Sequence, residues 1–124
     1  MHRNLKPENI LISPQSQVSQ PEYKVVISDF AFSRKIQTPH LHSYTPEDPK
    51  EREKSGREAR RLFYKAPELM FRPNIYTQEV DMWSVGCILA ELVLQEPLFR
   101  AGSELELLLR IFSMTGSPDK NLIA

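Results

Sequence analysis

The sequence predicts an α+β chain that is predominantly helical, with one small β-hairpin, a long polar loop, a central buried helix and one further helix. Three observations carry this reading. Two short apolar runs, Ile10-Leu11-Ile12 and Tyr23 to Ser28, flank a stretch rich in Ser, Gln and Pro. Residues 78–95 are apolar on nearly every side, and residues 104–114 carry an amphipathic repeat behind a capping signal.

The first run is followed by Ser13 to Glu22 and then by a second run rich in β-branched residues. That order reads as two antiparallel strands joined by a loose loop. Residues 33–61 are polar, charged and Pro-containing, with no helical period; they read as an extended, partly disordered loop. Val80, Met82, Trp83, Val85, Cys87, Ile88, Leu89, Ala90, Leu92 and Val93 then cover all sides of a helix. A helix of that kind belongs in the middle of a helical domain. Thr77 is its expected N-cap and Pro97 marks its end. Ser103 and Glu106 form a capping-box pattern for the last helix. Leu105, Leu108, Leu109 and Phe112 define its expected apolar face at i, i+3, i+4, i+7, with Gly116 and Pro118 as the stop.

Composition narrows the function classes. Sixteen basic and sixteen acidic side chains give a formal net charge of zero, so no general attraction to nucleic acid or an anionic membrane is expected. The one cysteine, Cys87, excludes an internal disulfide and suits a reducing compartment. Met1 is followed by His2, Arg3 and Asn4 rather than an apolar signal core, and the longest apolar run, Val85 to Leu94, is too short to span a bilayer. The expected location is intracellular, cytoplasmic or nuclear. The 29 residues of the polar loop leave little apolar chain for a core among 124 residues, so stability of this piece alone is expected to be low.

Four motifs then carry a resemblance. His2-Arg3-Asn4-Leu5-Lys6-Pro7-Glu8-Asn9 resembles the catalytic loop of protein kinases. Asp29-Phe30-Ala31 is similar to the metal-binding triplet, Ala66-Pro67-Glu68 to the end of the activation segment, and Asp81-Met82-Trp83-Ser84-Val85-Gly86 to the start of the buried central helix. Phe63-Tyr64-Lys65 and Trp83 to Leu92 resemble the cyclin-dependent and MAP kinase group; Pro97-Leu98-Phe99, Arg110-Ile111-Phe112 and Gly116-Ser117-Pro118 favour the cyclin-dependent branch. The resemblance implies that residues 1–124 form part of a kinase domain, the first half of its large lobe with a long activation-type loop.

The resemblance also implies roles. Kinases transfer phosphate mainly by positioning and charge stabilisation, with metal ions bridging the phosphates. Asn9 and Asp29 stand at the metal-ligand positions, and an amide oxygen and a carboxylate suit Mg²⁺. Lys6 stands where a lysine meets the transferring phosphate, and Leu11 with Lys6 at the nucleotide. Ile10 to Ile12, with Ile88 and Leu92, are expected as core beneath adenine. His2, Phe30, Ala66, Pro67, Glu68, Asp81 and Trp83 hold structural positions, with Asp81 expected to hydrogen-bond the catalytic-loop backbone and His2 packed rather than acid–base active. Arg3 and Arg34 match two arginines that grip a phosphorylated activation-loop residue, for which Thr45 is the candidate. ATP and Mg²⁺ are implied cofactors and a cyclin-like or kinase-related protein an implied partner.

Three positions depart from the pattern. Asn4 replaces the aspartate that accepts the substrate proton; an amide of the same shape cannot take a proton near neutral pH. General-base groups contribute on the order of 10²–10⁴-fold, so a comparable loss follows. Ala31 replaces a glycine, at a cost of about 1 kcal/mol if φ must be positive. Arg61 stands, counting back from Glu68, where a threonine ties the segment to the catalytic residues; beside Lys6 a guanidinium would be repelled. The 124 residues also contain no Gly-rich loop, no strand lysine in a Val-Ala-Ile-Lys setting and no glutamate helix to pair with it. ATP is therefore not expected to be held by this fragment, and Glu68 is expected to lack its arginine partner.

Plainer readings apply to the other features. His40 and His42 lack a ligand framework and read as polar loop. Lys50 to Arg61 alternates Glu with Lys or Arg and reads as a solvated segment rather than a docking patch. Cys87 reads as inert packing. Three functions stay open: a catalytically inactive kinase-like fragment or pseudokinase, an incomplete chain of a slow ATP-dependent Ser/Thr kinase, and a non-enzymatic binding module.

Overall fold

A computed structural model of the chain describes residues 1–15, 22–36, 60–71 and 77–119. The hairpin consists of strands β1 (Ile10–Gln15) and β2 (Glu22–Ile27), paired antiparallel with Ile10 opposite Ile27. It continues one residue further, because the Ser28 N–H donates to Asn9 O at 2.8 Å. A 3-10 turn, Pro7–Asn9, leads into β1; its Pro at the start loses no hydrogen bond there. A second 3-10 turn spans Pro67–Phe71.

Helix α1 (Glu79–Leu94) is the central one. Its N-cap is Gln78, in helical conformation and without a side-chain cap, so the expectation for Thr77 is corrected. The chain leaves α1 through Gln95 in the left-handed region (φ 62°), whose N–H donates to Glu91 O at 2.8 Å. Helix α2 (Glu104–Thr115) has its expected cap: the Glu106 N–H donates to Ser103 Oγ at 3.2 Å. The reciprocal arm is displaced by one residue, since Glu106 Oε2 accepts from the Gly102 N–H at 2.8 Å. Arg110 clamps the other carboxylate oxygen at 2.8 Å.

The core forms where α1 and α2 meet the segment around Tyr64. Leu5, Tyr64, Cys87, Ile88, Phe99, Ala101, Leu107 and Ile111 make one buried cluster, with Ile10, Phe63, Trp83 and Phe112 packed on its edge. Ala66 and Val80 form a smaller one. The face of α2 that packs is Leu107 and Ile111, fully buried, whereas Leu105 and Leu109 are 69% and 62% exposed. This corrects the expected stripe: α2 is apolar around much of its circumference, so periodicity alone left its rotation open.

The hairpin corrects a second expectation. Ile10 packs on the core and Ile88 is buried, but Leu11, Ile12 and Leu92 are all more than half exposed. The described residues supply no second layer for β1 and β2. Residues 60–62 are helical rather than loop. Thr45, His40, His42 and most of the polar loop lie outside the described residues. No helix among the described residues is long and apolar enough to cross a membrane.

Candidate functional site

The site is assembled by the hairpin register. Because Ile10 faces Ile27, Asn9 stands opposite Ser28, and Asp29 is the next residue along. Twenty residues of sequence separation are closed by one strand pair. The loop before the 3-10 turn then brings Asn4 to the same end.

The loop itself is held by Asp81 at the start of α1. The successive N–H groups of His2 and Arg3 donate to Asp81 Oδ2 at 2.6 Å and Oδ1 at 2.7 Å. Presenting both donors to one carboxylate requires an unusual backbone, and Arg3 has φ 68°. Left-handed conformation costs a non-glycine residue about 1 kcal/mol or more; two charge-assisted hydrogen bonds offset it. Asp29 has φ 64°, while Ala31 is not among the positive-φ residues. The glycine-to-alanine penalty considered above therefore does not arise at Ala31 in this conformation.

His2 is buried between the two halves of the site. Its Nδ1 accepts from the Asn4 N–H at 3.3 Å, so the proton resides on Nε2, which donates to Ser28 O at 3.0 Å. Both ring nitrogens are thereby committed to backbone, and the ring meets Phe30 edge-on at 5.1 Å. This is a packed imidazole. Asn4, 6% exposed, donates its Nδ2 to Asp29 Oδ2 at 3.0 Å, and its Oδ1 is buried without a hydrogen-bond partner. Asn9, equally buried, donates its Nδ2 to Asn4 O at 2.8 Å and reaches Asp29 Oδ2 at 3.4 Å. Asn9 thus has only Oδ1 left to ligate a cation. One amide oxygen and one exposed carboxylate fit a hard ion such as Mg²⁺, which takes few protein ligands and completes its shell with water and phosphate. Among the described residues no group of three or more His, Cys, Asp or Glu could hold a metal.

The other expected residues are placed as follows. Lys6 is half-buried in extended backbone just before the 3-10 turn. Leu11 lies in β1 opposite Val26 and is 52% exposed. Arg3 Nε donates to Phe32 O at 2.6 Å, and Arg61 stacks 4.0 Å over the Phe32 ring, a cation–π contact where a threonine link was implied. The Arg34 N–H donates to Met1 O at 3.0 Å. Ala66 is buried, Pro67 and Glu68 begin the second 3-10 turn, and Glu68 is exposed. Trp83 stacks on Phe99 at 6.0 Å.

One arrangement had not been expected. The Tyr64 hydroxyl donates to Glu91 Oε2, and Arg60 approaches both Glu91 (3.7 Å) and Glu8 (3.0 Å). Burial and the adjacent Glu91 carboxylate hold the Tyr64 phenol in its protonated form well above its ordinary range. A carboxylate inside the apolar run Val85 to Leu94 was the available signal. Lys65 likewise joins Glu104 of α2 at 2.7 Å.

Comparison with known proteins fits this geometry. The family described as the protein kinase domain matches residues 1–119. The chain belongs to the protein kinase family. Among its kinase relatives, "Cell division control protein 2 homolog 3" of Trypanosoma brucei brucei is 40% identical over 118 residues, covering 95% of this chain and 32% of the relative. "Cyclin-dependent kinase B2-1" of Arabidopsis thaliana is 36% identical over 122 residues, covering 98% of this chain and 33% of the relative. This kinase chain therefore spans about a third of the length of the curated relatives it matches.

Proposed function

We propose that this chain is a Ser/Thr-kinase-like segment, 1–124 being part of a kinase domain, that does not transfer phosphate. The observation that carries the reading is Asn4 at the proton-acceptor position, with its amide committed to Asp29 at 3.0 Å. An amide there lacks a basic site near neutral pH. The positions of Asn9 and Asp29 support a role as ligands of Mg²⁺, with Lys6 at the transferring phosphate and Leu11 beneath adenine. Bound Mg²⁺ would supply charge neutralisation to nucleotide phosphates. The chain's own part is to hold oxygen donors at the hairpin end and to fix the loop through Asp81.

The 124 residues contain neither a Gly-rich loop nor a strand lysine in its usual setting, which supports the view that they do not retain ATP by themselves. Arg3 and Arg34 are proposed to receive a phosphate on Thr45. A cyclin-like partner is proposed by analogy with the named relative, and an intracellular location with it. Slow kinase activity is the second reading, favoured by the presence of Lys6, Asn9 and Asp29.

The test is transfer of the ATP γ-phosphate to Ser/Thr peptides by the 124-residue chain with Mg²⁺. No incorporation above background is expected, either for the native sequence or for Asn4→Asp. Transfer that disappears on Asp29→Ala would overturn the inactive reading in favour of the slow enzyme.

A further inference from the structure

Asn4 does more than fail to accept a proton. Its Nδ2 sits 3.0 Å from Asp29 Oδ2, and Asn9 Nδ2 lies 3.4 Å from the same oxygen. The direction of the Asn4 amide is fixed by chemistry, since the reverse orientation would set a lone-pair oxygen against a carboxylate oxygen. Two amide dipoles therefore converge on one carboxylate oxygen from side chains that are each 6% exposed. The arrangement leaves Asn4 Oδ1 buried and unpartnered. An aspartate in the same place would set two carboxylates against each other, an arrangement that needs a proton or a cation between them.

We propose that Asn4 is a built-in counter-group for Asp29: its amide and a divalent cation compete for the same carboxylate oxygen. The loop and the hairpin end are then joined without metal, and a cation that takes Asp29 Oδ2 must displace the Asn4 amide. Asp29 itself is exposed, so the route to its carboxylate is open. The inference rests on the reading of Asp29 and Asn9 as cation ligands, and it assigns to Asn4 a positioning role that an inert substitution would not have.

The experiment is titration of the full chain with Mn²⁺ and with Mg²⁺, following bound Mn²⁺ by paramagnetic resonance and thermal stability by circular dichroism. Native chain is expected to bind Mn²⁺ weakly, with a Tm that metal does not raise. Asn4→Ala removes the donor without adding a ligand, and its affinity should rise by roughly threefold to tenfold, the scale of one hydrogen bond to a charged group. Asn4→Asp should bind more tightly still, with a Tm low without metal and raised by it. If Asn4→Asp folds only when Mn²⁺ is supplied, the Asn4→Ala affinity decides. An Asn4→Ala affinity equal to the native one overturns the role of Asn4 while leaving the ligand pair standing. Mn²⁺ binding that survives Asp29→Ala, or no binding by any variant at millimolar metal, overturns the ligand pair and the inference together.

Discussion

Single side chains in this molecule are set by what they were buried against. His2 is packed, as expected, and both of its nitrogens serve backbone groups. Cys87 is buried at 4% exposure on the core side of α1, and burial, with Glu91 nearby, pushes its thiol up to about 11. A folded value above the ordinary 9.0 means that the neutral thiol is the favoured form. Its contribution to stability is fully present below pH 9 and is lost as pH rises through about 11. Two consequences can be measured. Alkylation of Cys87 at pH 8 should be slower than in the urea-unfolded chain by at least about tenfold, since the thiolate fraction falls roughly a hundredfold and higher nucleophilicity recovers part of it. Chemical stability should decline between pH 9 and 11 in native protein and less steeply in Cys87→Ala, compared by urea titration at each pH.

At the scale of the element, the two helices behave differently because their ends and faces are specified by different means. Ser103 and Glu106 cap α2 through local contacts that any chain with this sequence can make. The Gly102 N–H and then Arg110 hold the Glu106 carboxyl below its ordinary range. The rotation of α2 is set by packing instead. Leu107→Ala should cost about 2–5 kcal/mol by cavity formation, whereas Leu105→Ala, at an exposed position, should stay within about 0.5 kcal/mol. A larger loss for Leu105→Ala than for Leu107→Ala in urea unfolding would show that the expected Leu105 face, and not the Leu107–Ile111 face, is the buried one. The hairpin is a third case. Tyr23, Val25 and Ile12 are each more than 60% exposed, and a two-stranded hairpin without cover is marginal in water. Its strands are held mainly at the Asn9–Ser28 end, where the site is.

For the whole molecule, the decisive link is long in sequence. Asp81 joins the residue-2 loop to α1 across a separation of 79 residues. Together with Leu5 and Ile10, which pack into the core, it ties loop and hairpin to the helices. Asp81→Ala leaves two partly buried N–H groups without their carboxylate, and should destabilise the chain by about 3 kcal/mol. Asp81→Asn keeps one acceptor and should lose less. The check is urea unfolding read by Trp83 fluorescence, and native-like stability in Asp81→Ala would show that the loop is held by something else. The same scale accounts for the unevenness of the surface. Apolar side chains lie open on α1 (Met82, Leu89, Leu92, Val93), on α2 (Leu105, Leu109, Met114) and across the hairpin.

The four motifs, their order and the family were legible in the linear sequence because catalytic loops, metal triplets and helix starts are short, contiguous and chemically distinctive. So were the hairpin, the two helices to within a residue or so, and the Ser103 cap, all of which depend on local propensity and period. The amide at Asn4 stood out through the resemblance alone, against a motif that implies an aspartate at that position. What it does in the fold did not, because its contact with Asp29 exists only once the strand register sets Asn9 opposite Ser28. The positive φ at Asp29 rather than Ala31, the buried face of α2, the αR N-cap Gln78 and the Tyr64–Glu91 bond were likewise decided in three dimensions. The buried face of α2 and the Tyr64–Glu91 bond depend on groups far apart in sequence, whose encounter is fixed by packing and not by any property of the residues themselves.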